Sequence, residues 1–167
     1  MTNSNQYYLI VNMILKNKDN GEWVEGRIEV FRRKCEENGL KITPQWVAIY
    51  RELIQTTEHP TADTVYKALR ATFPNISFDT VNRTLGTLVE IGVAKIVDCS
   101  RQVRRFDGGV AEHLHFKCIK CKRIIDIEAQ EFENDSQIPE KIADVAKILK
   151  RVVYFEGLCE RCGRDPG

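Results

Sequence analysis

Histidine is scarce in this chain: His59, His113 and His115 are the only three among 167 residues. Any imidazole chemistry must therefore draw on those three. Methionine and tryptophan number two each. No apolar run approaches the roughly 20 residues that a helix needs to cross a bilayer, so no membrane partner is expected. The opening stretch, MTNSNQYYLIVNMILKNKDN, has neither a basic leader nor a small-residue cleavage site, which predicts a cytoplasmic protein without a signal peptide. An excess of charge is also missing. Lys and Arg total 25 against 24 Asp and Glu, a net charge of +1, so the chain as a whole does not announce nucleic acid.

What is present is unevenly placed. Residues 61–106 carry seven Lys/Arg against four Asp/Glu, and residues 107–167 carry ten against twelve. A mildly basic middle before a mildly acidic end is compatible with DNA binding by the former. Hydrophobic content of 43% and charge of 29% describe a soluble globular chain, long enough for one larger domain or two small ones with thin cores. Six cysteines divide into two CxxC pairs and two isolated residues, Cys35 and Cys99. The isolated ones read as small core residues. In a reducing compartment the pairs are metal ligands more readily than disulfides.

Residues 1–25 read as an N-terminal extension in which NKDNGE is a turn. From Gly26 to Asn38, Ile28, Val30, Phe31 and Cys35 form an apolar stripe that ends at Asn38-Gly39. Thr43-Pro44 opens a helix with Val47, Tyr50, Leu53 and Ile54 inward. Thr61 opens another, with Val65, Ala68, Leu69 and Phe73 inward and Pro74 as its stop. Ser77 caps a third, in which Asp79 favours the dipole and Val81, Leu85, Leu88 and Val89 make the stripe. VAKIVDC and QVRRFD follow as two strands. Helices joined by short connections and then a hairpin form the winged helix-turn-helix pattern, whose third helix would enter the major groove. Arg101, Arg104 and Arg105 on the hairpin would suit phosphate contacts. A generic small domain with solvated charges fits the same pattern, and the pattern alone leaves both readings open.

Past Asp107-Gly108-Gly109 the composition changes. HLHFKC and RIIDIEA read as strands joined by a CIKC knuckle, Ile138–Leu149 as a helix, and RVVYFEGLC as a further strand. The predicted fold is thus α+β: a winged-helix domain at 26–107, a hinge at 108–110, and a small α/β domain at 111–167. A module of about 55 residues needs a metal or a partner subunit for stability. Cys118 and Cys121, with Cys159 and Cys162 beyond a 37-residue gap, supply four thiolates suited to a closed, structural Zn²⁺ site; a redox dithiol pair is the alternative. His113 and His115, at period two, face one side of their strand. With His59, Asp107 and Asp126 they could form a nitrogen and oxygen site suited to Fe²⁺, Mn²⁺ or Zn²⁺. A polar strand face is the plainer reading of His-x-His.

The stretches HPTADTVYKALRATFPNISFDTVNRTLGTLVEIGVAK, HLHFKCIKCKRIIDI and GLCERCG resemble the ferric uptake regulator family, over roughly residues 27–165. The resemblance implies a homodimeric winged-helix repressor with a C-terminal dimerisation domain that binds palindromic double-stranded DNA, and no enzymatic activity. It is closest to the peroxide-responsive branch, whose regulatory site of three His and two Asp is matched by His59, Asp107, His113, His115 and Asp126. Fe²⁺ or Mn²⁺ is implied there, with His59 or His113 as the residue that peroxide oxidises. The four cysteines match the family's structural zinc. DNA contacts are implied for Ser77, Thr80, Asn82, Arg83, Thr87 and Arg101. Asn82 replaces the usual tyrosine of TVYRTL and could meet an adenine edge, and Arg83 a guanine or a phosphate. Trp46 stands where a basic residue is common. An iron- or zinc-uptake regulator of the same family is the alternative. From another class, a metal-dependent hydrolase would use the His/Asp set to activate water.

Overall fold

The computed structural model describes residues 21–98, 103–109, 113–128 and 153–164. The chain divides into two compact units, Met1–Ala111 and Glu112–Gly167.

In the first unit α1 spans Gly21–Glu37 and buries Trp23, Val24, Arg27, Ile28, Phe31 and Cys35. Those positions recur every three or four residues and make one helical face. The helix starts five residues before the expected Gly26, so Gly21–Glu25 belong to it and not to an extension. Trp23 and Val24 continue the stripe by one turn, which the turn-forming residues before them had obscured. Its end is a Schellman closure: Gly39 has φ 65, its N–H reaches the Glu36 carbonyl at 3.0 Å, and that of Leu40 reaches Cys35 at 2.9 Å.

The next three helices begin as their caps predict. α2 (Pro44–Ile54) has Thr43 accepting from the Trp46 N–H, with proline in its first turn. α3 (Ala62–Leu69) has Thr61 accepting from the Thr64 N–H. α4 (Phe78–Glu90) has Ser77 accepting from the Thr80 N–H, and buries Val81, Thr84, Leu85 and Leu88. Each cap satisfies an N–H that the helix cannot. β1 (Lys95–Asp98) and β2 (Arg105–Asp107) then pair antiparallel, with Ile96 opposite Phe106 and an irregularity between Ile96 and Asp98. Phe31, Tyr50, Leu53, Val65, Val81, Leu85, Leu88 and Phe106 are fully buried in one cluster. This is a winged helix. Arg101 and Cys99 lie outside the described residues.

One charge sits inside that core. Arg27 is only 4% exposed. Its Nε and Nη2 donate to the Tyr50 hydroxyl at 3.2 and 2.7 Å, and Nη2 also donates to the Gly108 carbonyl at 2.5 Å. The guanidinium lies 5.8 Å from the Trp23 ring and 5.7 Å from that of Tyr50. Acceptors and ring faces together offset part of the loss of water, while Nη1 is buried without a hydrogen-bond partner. The carbonyl it grips belongs to a glycine pressed against α2, where an added Cβ would stand 2.9 Å from Ile54 Cγ2 and 3.2 Å from Ile54 Cα.

In the second unit β3 (His113–Cys118) is central, with β4 (Ile124–Glu128) antiparallel on one side and β5 (Tyr154–Gly157) parallel on the other. Parallel pairing demands a crossover; the expected Ile138–Leu149 helix falls in that stretch, outside the described residues. A short helix follows, α5 (Glu160–Arg164).

Gly108→Ala tests the close approach of residue 108 to α2. With Ile54 backbone so near, the added methyl is expected to lower stability by about 1–3 kcal/mol, the usual cost of overpacking. A shift in the urea midpoint at unchanged slope would report it; an unchanged midpoint would show that the contact is slack.

Candidate metal centres and recognition surface

The sulfur cluster is assembled by the second unit alone. Cys118 ends β3, the knuckle turns through Lys122 at φ 61, and the Lys122 N–H returns to the Cys118 carbonyl at 2.9 Å. Cys159 and Cys162 come from the start of α5, where the Gly163 N–H bonds the Cys159 carbonyl at 2.8 Å. All four Sγ atoms lie within 4.8 Å of one another. A Zn–S distance of about 2.3 Å implies tetrahedral edges near 3.8 Å, and Cys121 Sγ to Cys159 Sγ is 3.7 Å. The donor set therefore fits a four-coordinate thiophilic ion.

Protonation in the cluster points the same way. Backbone N–H groups, that of Cys159 first and then that of Cys121, bring the Cys118 thiol down to about 6; the Cys159 N–H to Cys118 Sγ distance is 3.4 Å. The Arg123 N–H lowers Cys121. Burial, reinforced by the neighbouring sulfurs, drives Cys162 up to about 12. Four sulfurs this close cannot all ionise without a cation among them, and a dication reverses that order.

The harder donors are found in each unit separately. In the first, the His59–Thr61 segment runs antiparallel to β2. Thr61 bridges to Arg105, the Phe106 N–H donates to the Pro60 carbonyl at 3.0 Å, and Arg105 Nη1 donates to the His59 carbonyl at 3.1 Å. Extending that register by two residues brings His59 opposite Asp107. An imidazole nitrogen and a carboxylate oxygen of the two lie within 4.8 Å. His59 is 2% exposed, Asp107 7%. His59 holds φ 49, a backbone state that few residues other than glycine adopt and that is commoner at functional positions. The Gly109 N–H donates to Asp107 Oδ1 at 2.6 Å and fixes the carboxylate.

In the second unit His115 stands directly opposite Asp126, with His113 two residues away on the same strand. Asp126 Oδ1 is 3.7 Å from His113 Nε2 and 3.6 Å from His115 Nε2. The imidazole rings meet edge to face with centroids 4.6 Å apart. Two imidazoles and a carboxylate on one face suit a divalent ion that accepts nitrogen and oxygen.

The residues expected to meet DNA lie on and around α4. Ser77 and Thr80 share a 2.8 Å hydroxyl contact at its start. Arg83 approaches Asp79 at 3.8 Å, and the Thr87 hydroxyl donates to the Arg83 carbonyl at 3.2 Å. Asn82 Oδ1 accepts from Arg104 Nη2 at 3.1 Å. That last contact was not legible in the sequence, because it joins residues 22 apart across the base of the hairpin. Trp46 packs half-buried against the helical core, which explains an aromatic residue at a position expected to be basic.

A winged-helix head followed in the chain by a sheet stitched with thiols is the architecture of metal-dependent repressors of transcription. The chain belongs to the ferric uptake regulator family, whose profile matches residues 37–152. It is 33% identical over 141 residues to the peroxide-responsive repressor PerR of Staphylococcus saprophyticus, covering 84% of this chain and 95% of that protein. With the PerR of Staphylococcus epidermidis it shares 33% identity over 144 residues, 86% of this chain and 95% of the other. The solved ferric uptake regulator of Helicobacter pylori superposes with a TM-score of 0.69 at 24% identity, covering 84% and 93% of the two chains. The family and these relatives are regulators of transcription. Among the described residues no helix is long and apolar enough to cross a membrane.

Zinc at the four sulfurs is expected to carry much of the second unit's stability, since structural zinc in small modules contributes on the order of 10 kcal/mol. Cys118→Ser, or chelation, should remove about one zinc per chain and abolish the melting transition of that unit. Metal analysis beside a thermal melt decides it; an unchanged melt after zinc loss would refute a structural role.

Proposed function

We propose that the chain is a homodimeric repressor that binds a palindromic DNA site when Fe²⁺ or Mn²⁺ is held by His59, Asp107, His113, His115 and Asp126, and that peroxide releases it. The observation that carries this reading is that histidine lies beside aspartate in both units: His59 and Asp107 bring ligand atoms within 4.8 Å of one another, and His115 stands opposite Asp126 in the sheet. Neither pairing includes a cysteine, so the hard donors are segregated from the sulfur cluster. Likeness to peroxide-responsive repressors over most of the chain supports the choice of signal.

The residues divide the work. His59, held in a constrained backbone state, offers its ring from the winged-helix unit. Asp107 supplies a carboxylate oriented by the Gly109 N–H. His113, His115 and Asp126 present two imidazoles and a carboxylate from the other unit. An ion shared by all five favours only those arrangements of the two units in which the ligands converge, so it shifts the population toward one spacing of the reading heads. Two α4 helices one DNA turn apart then fit a palindrome. Ferrous iron held there would activate peroxide. The net change would insert one peroxide oxygen at an imidazole carbon of His59 or His113, the ring giving up two electrons and the second oxygen leaving as water, which removes a basic ring nitrogen and with it a ligand. The sulfur cluster has no part in that response. An iron- or zinc-uptake regulator would use the same hard donors, with Fe²⁺ or Zn²⁺ itself as the signal in place of peroxide.

The test uses full-length protein prepared without oxygen and loaded with Fe²⁺ or Mn²⁺. The Fe²⁺ form should lose its gel shift on a selected palindromic duplex after peroxide, while the Mn²⁺ form keeps it. Mass analysis should find +16 Da on tryptic peptide 52–67, which contains His59, or on 106–117, which contains His113 and His115. Oxidation confined to cysteines, or equal sensitivity of the two metal forms, would sink the peroxide reading.

A further inference from the structure

We infer that Arg104, aimed by Asn82, reads a guanine in the major groove, so that one base position of the operator is recognised jointly by α4 and the hairpin. The inference rests on the repressor reading above and adds to it a residue and a base.

The cations near α4 are not equivalent. Arg83 is drawn along its own helix toward Asp79. Arg105 Nη1 donates to the His59 carbonyl at 3.1 Å, and the Glu58 carbonyl is 3.4 Å away, so its guanidinium is committed to holding β2. Arg104 is exposed, and among the described residues no carboxylate pairs with it. It has two contacts. Nη2 donates to Asn82 Oδ1 at 3.1 Å, and the guanidinium lies 5.7 Å from the centre of the Phe106 ring, which is itself fully buried.

Those contacts orient the group without neutralising it. A guanidinium carries five N–H donors. Asn82 takes one, a neutral amide oxygen leaves the full charge in place, and the end of the fork keeps N–H groups on both terminal nitrogens. That fork matches the O6 and N7 acceptors of guanine. Holding the side chain against a buried ring and an amide also reduces the rotamer freedom lost on binding. Asn82 lies in the second turn of α4, on the half of a recognition helix that reaches base edges. Its carbonyl is occupied by Arg104, and its amide N–H₂ remains for a neighbouring acceptor. Tyrosine at this position could not accept from Arg104 through an amide and would fill the same space with a ring. The Asn82 substitution and the placement of Arg104 thus form a single device.

A phosphate contact from Arg104 is the competing chemistry, and it differs in what it discriminates. Phosphate contacts weaken all sequences alike when removed; base contacts relax one position. The experiment selects duplexes from a random library with the full-length Mn²⁺-loaded chain, then compares Asn82→Ala, Arg104→Ala, Arg104→Lys and the double variant. The wild-type chain should enrich a guanine at a fixed place in each half-site. Arg104→Ala should reduce that preference by on the order of ten- to a hundred-fold. Asn82→Ala should weaken preference at that same base, and the double variant should be no worse than Arg104→Ala, as expected of coupled residues. Arg104→Lys should restore affinity in low salt but not the guanine preference, because an ammonium lacks the fork. Uniform weakening across all sequences, or effects of the two alanine variants at different bases, would overturn the inference. Failure of the wild-type chain to enrich any sequence would instead remove the repressor reading on which it stands.

Discussion

The short antiparallel ladder between His59–Thr61 and β2 is the contact on which both proposed tasks of the first unit depend. Proline at 60 has no N–H to give, so the ladder is made by its carbonyl, which accepts from Phe106. Thr61 bridges to Arg105 and also caps α3. The residue that ends the ladder therefore starts the helix, and the hairpin and the helical core cannot shift independently. Phe106, fully buried, anchors the same strand from its other face. Close to that ladder His59 lies beside Asp107, and Arg104, immediately before β2, meets Asn82.

Much of this was legible in the sequence wherever the chemistry is local. Thr43, Thr61 and Ser77 announce their helices because a cap is a three-residue event. Two CxxC knuckles declare a sulfur cluster because ligand spacing is set by one turn. Alternation of His113 and His115 predicts a shared face because a strand has period two. What escaped was non-local. The start of α1 at Gly21 depends on Trp23 and Val24 finding a core. Nothing local marks Arg27 as buried, because its acceptors, Tyr50 and Gly108, lie 23 and 81 residues away. The helix around Cys162 has only five residues and little periodicity to show. Asn82 read as a lost tyrosine; its contact with Arg104 has no signature short of the fold.

The buried Arg27 links sequence to function in a further way. Its hold on the Gly108 carbonyl, and the fit of Gly108 against Ile54, immobilise the main chain immediately after Asp107. The next N–H, of Gly109, closes back on the Asp107 carboxylate. A carboxylate at the edge of a domain would ordinarily be free to swing, and a swinging carboxylate would make a weak metal ligand because ordering it costs entropy. Here a core cation, a glycine and a backbone turn fix it before any ion arrives.

Strand β3 carries residues of both proposed metal sites on its two faces. His113 and His115 share one face with Lys117; Phe116 and Cys118 occupy the other. Cys118 is fully buried and Phe116 packs against the cysteine cluster. A slip of β3 by one residue would exchange the faces, moving imidazoles toward sulfur and a thiol toward the aspartate. An ion shared by Cys118, the knuckle and α5 would make that slip incompatible with a closed tetrahedron. The sulfur site would thus set which face the histidines present, and would do so without touching them. A signal that acts on the imidazoles can change the ligand set while the strand that carries them stays in register.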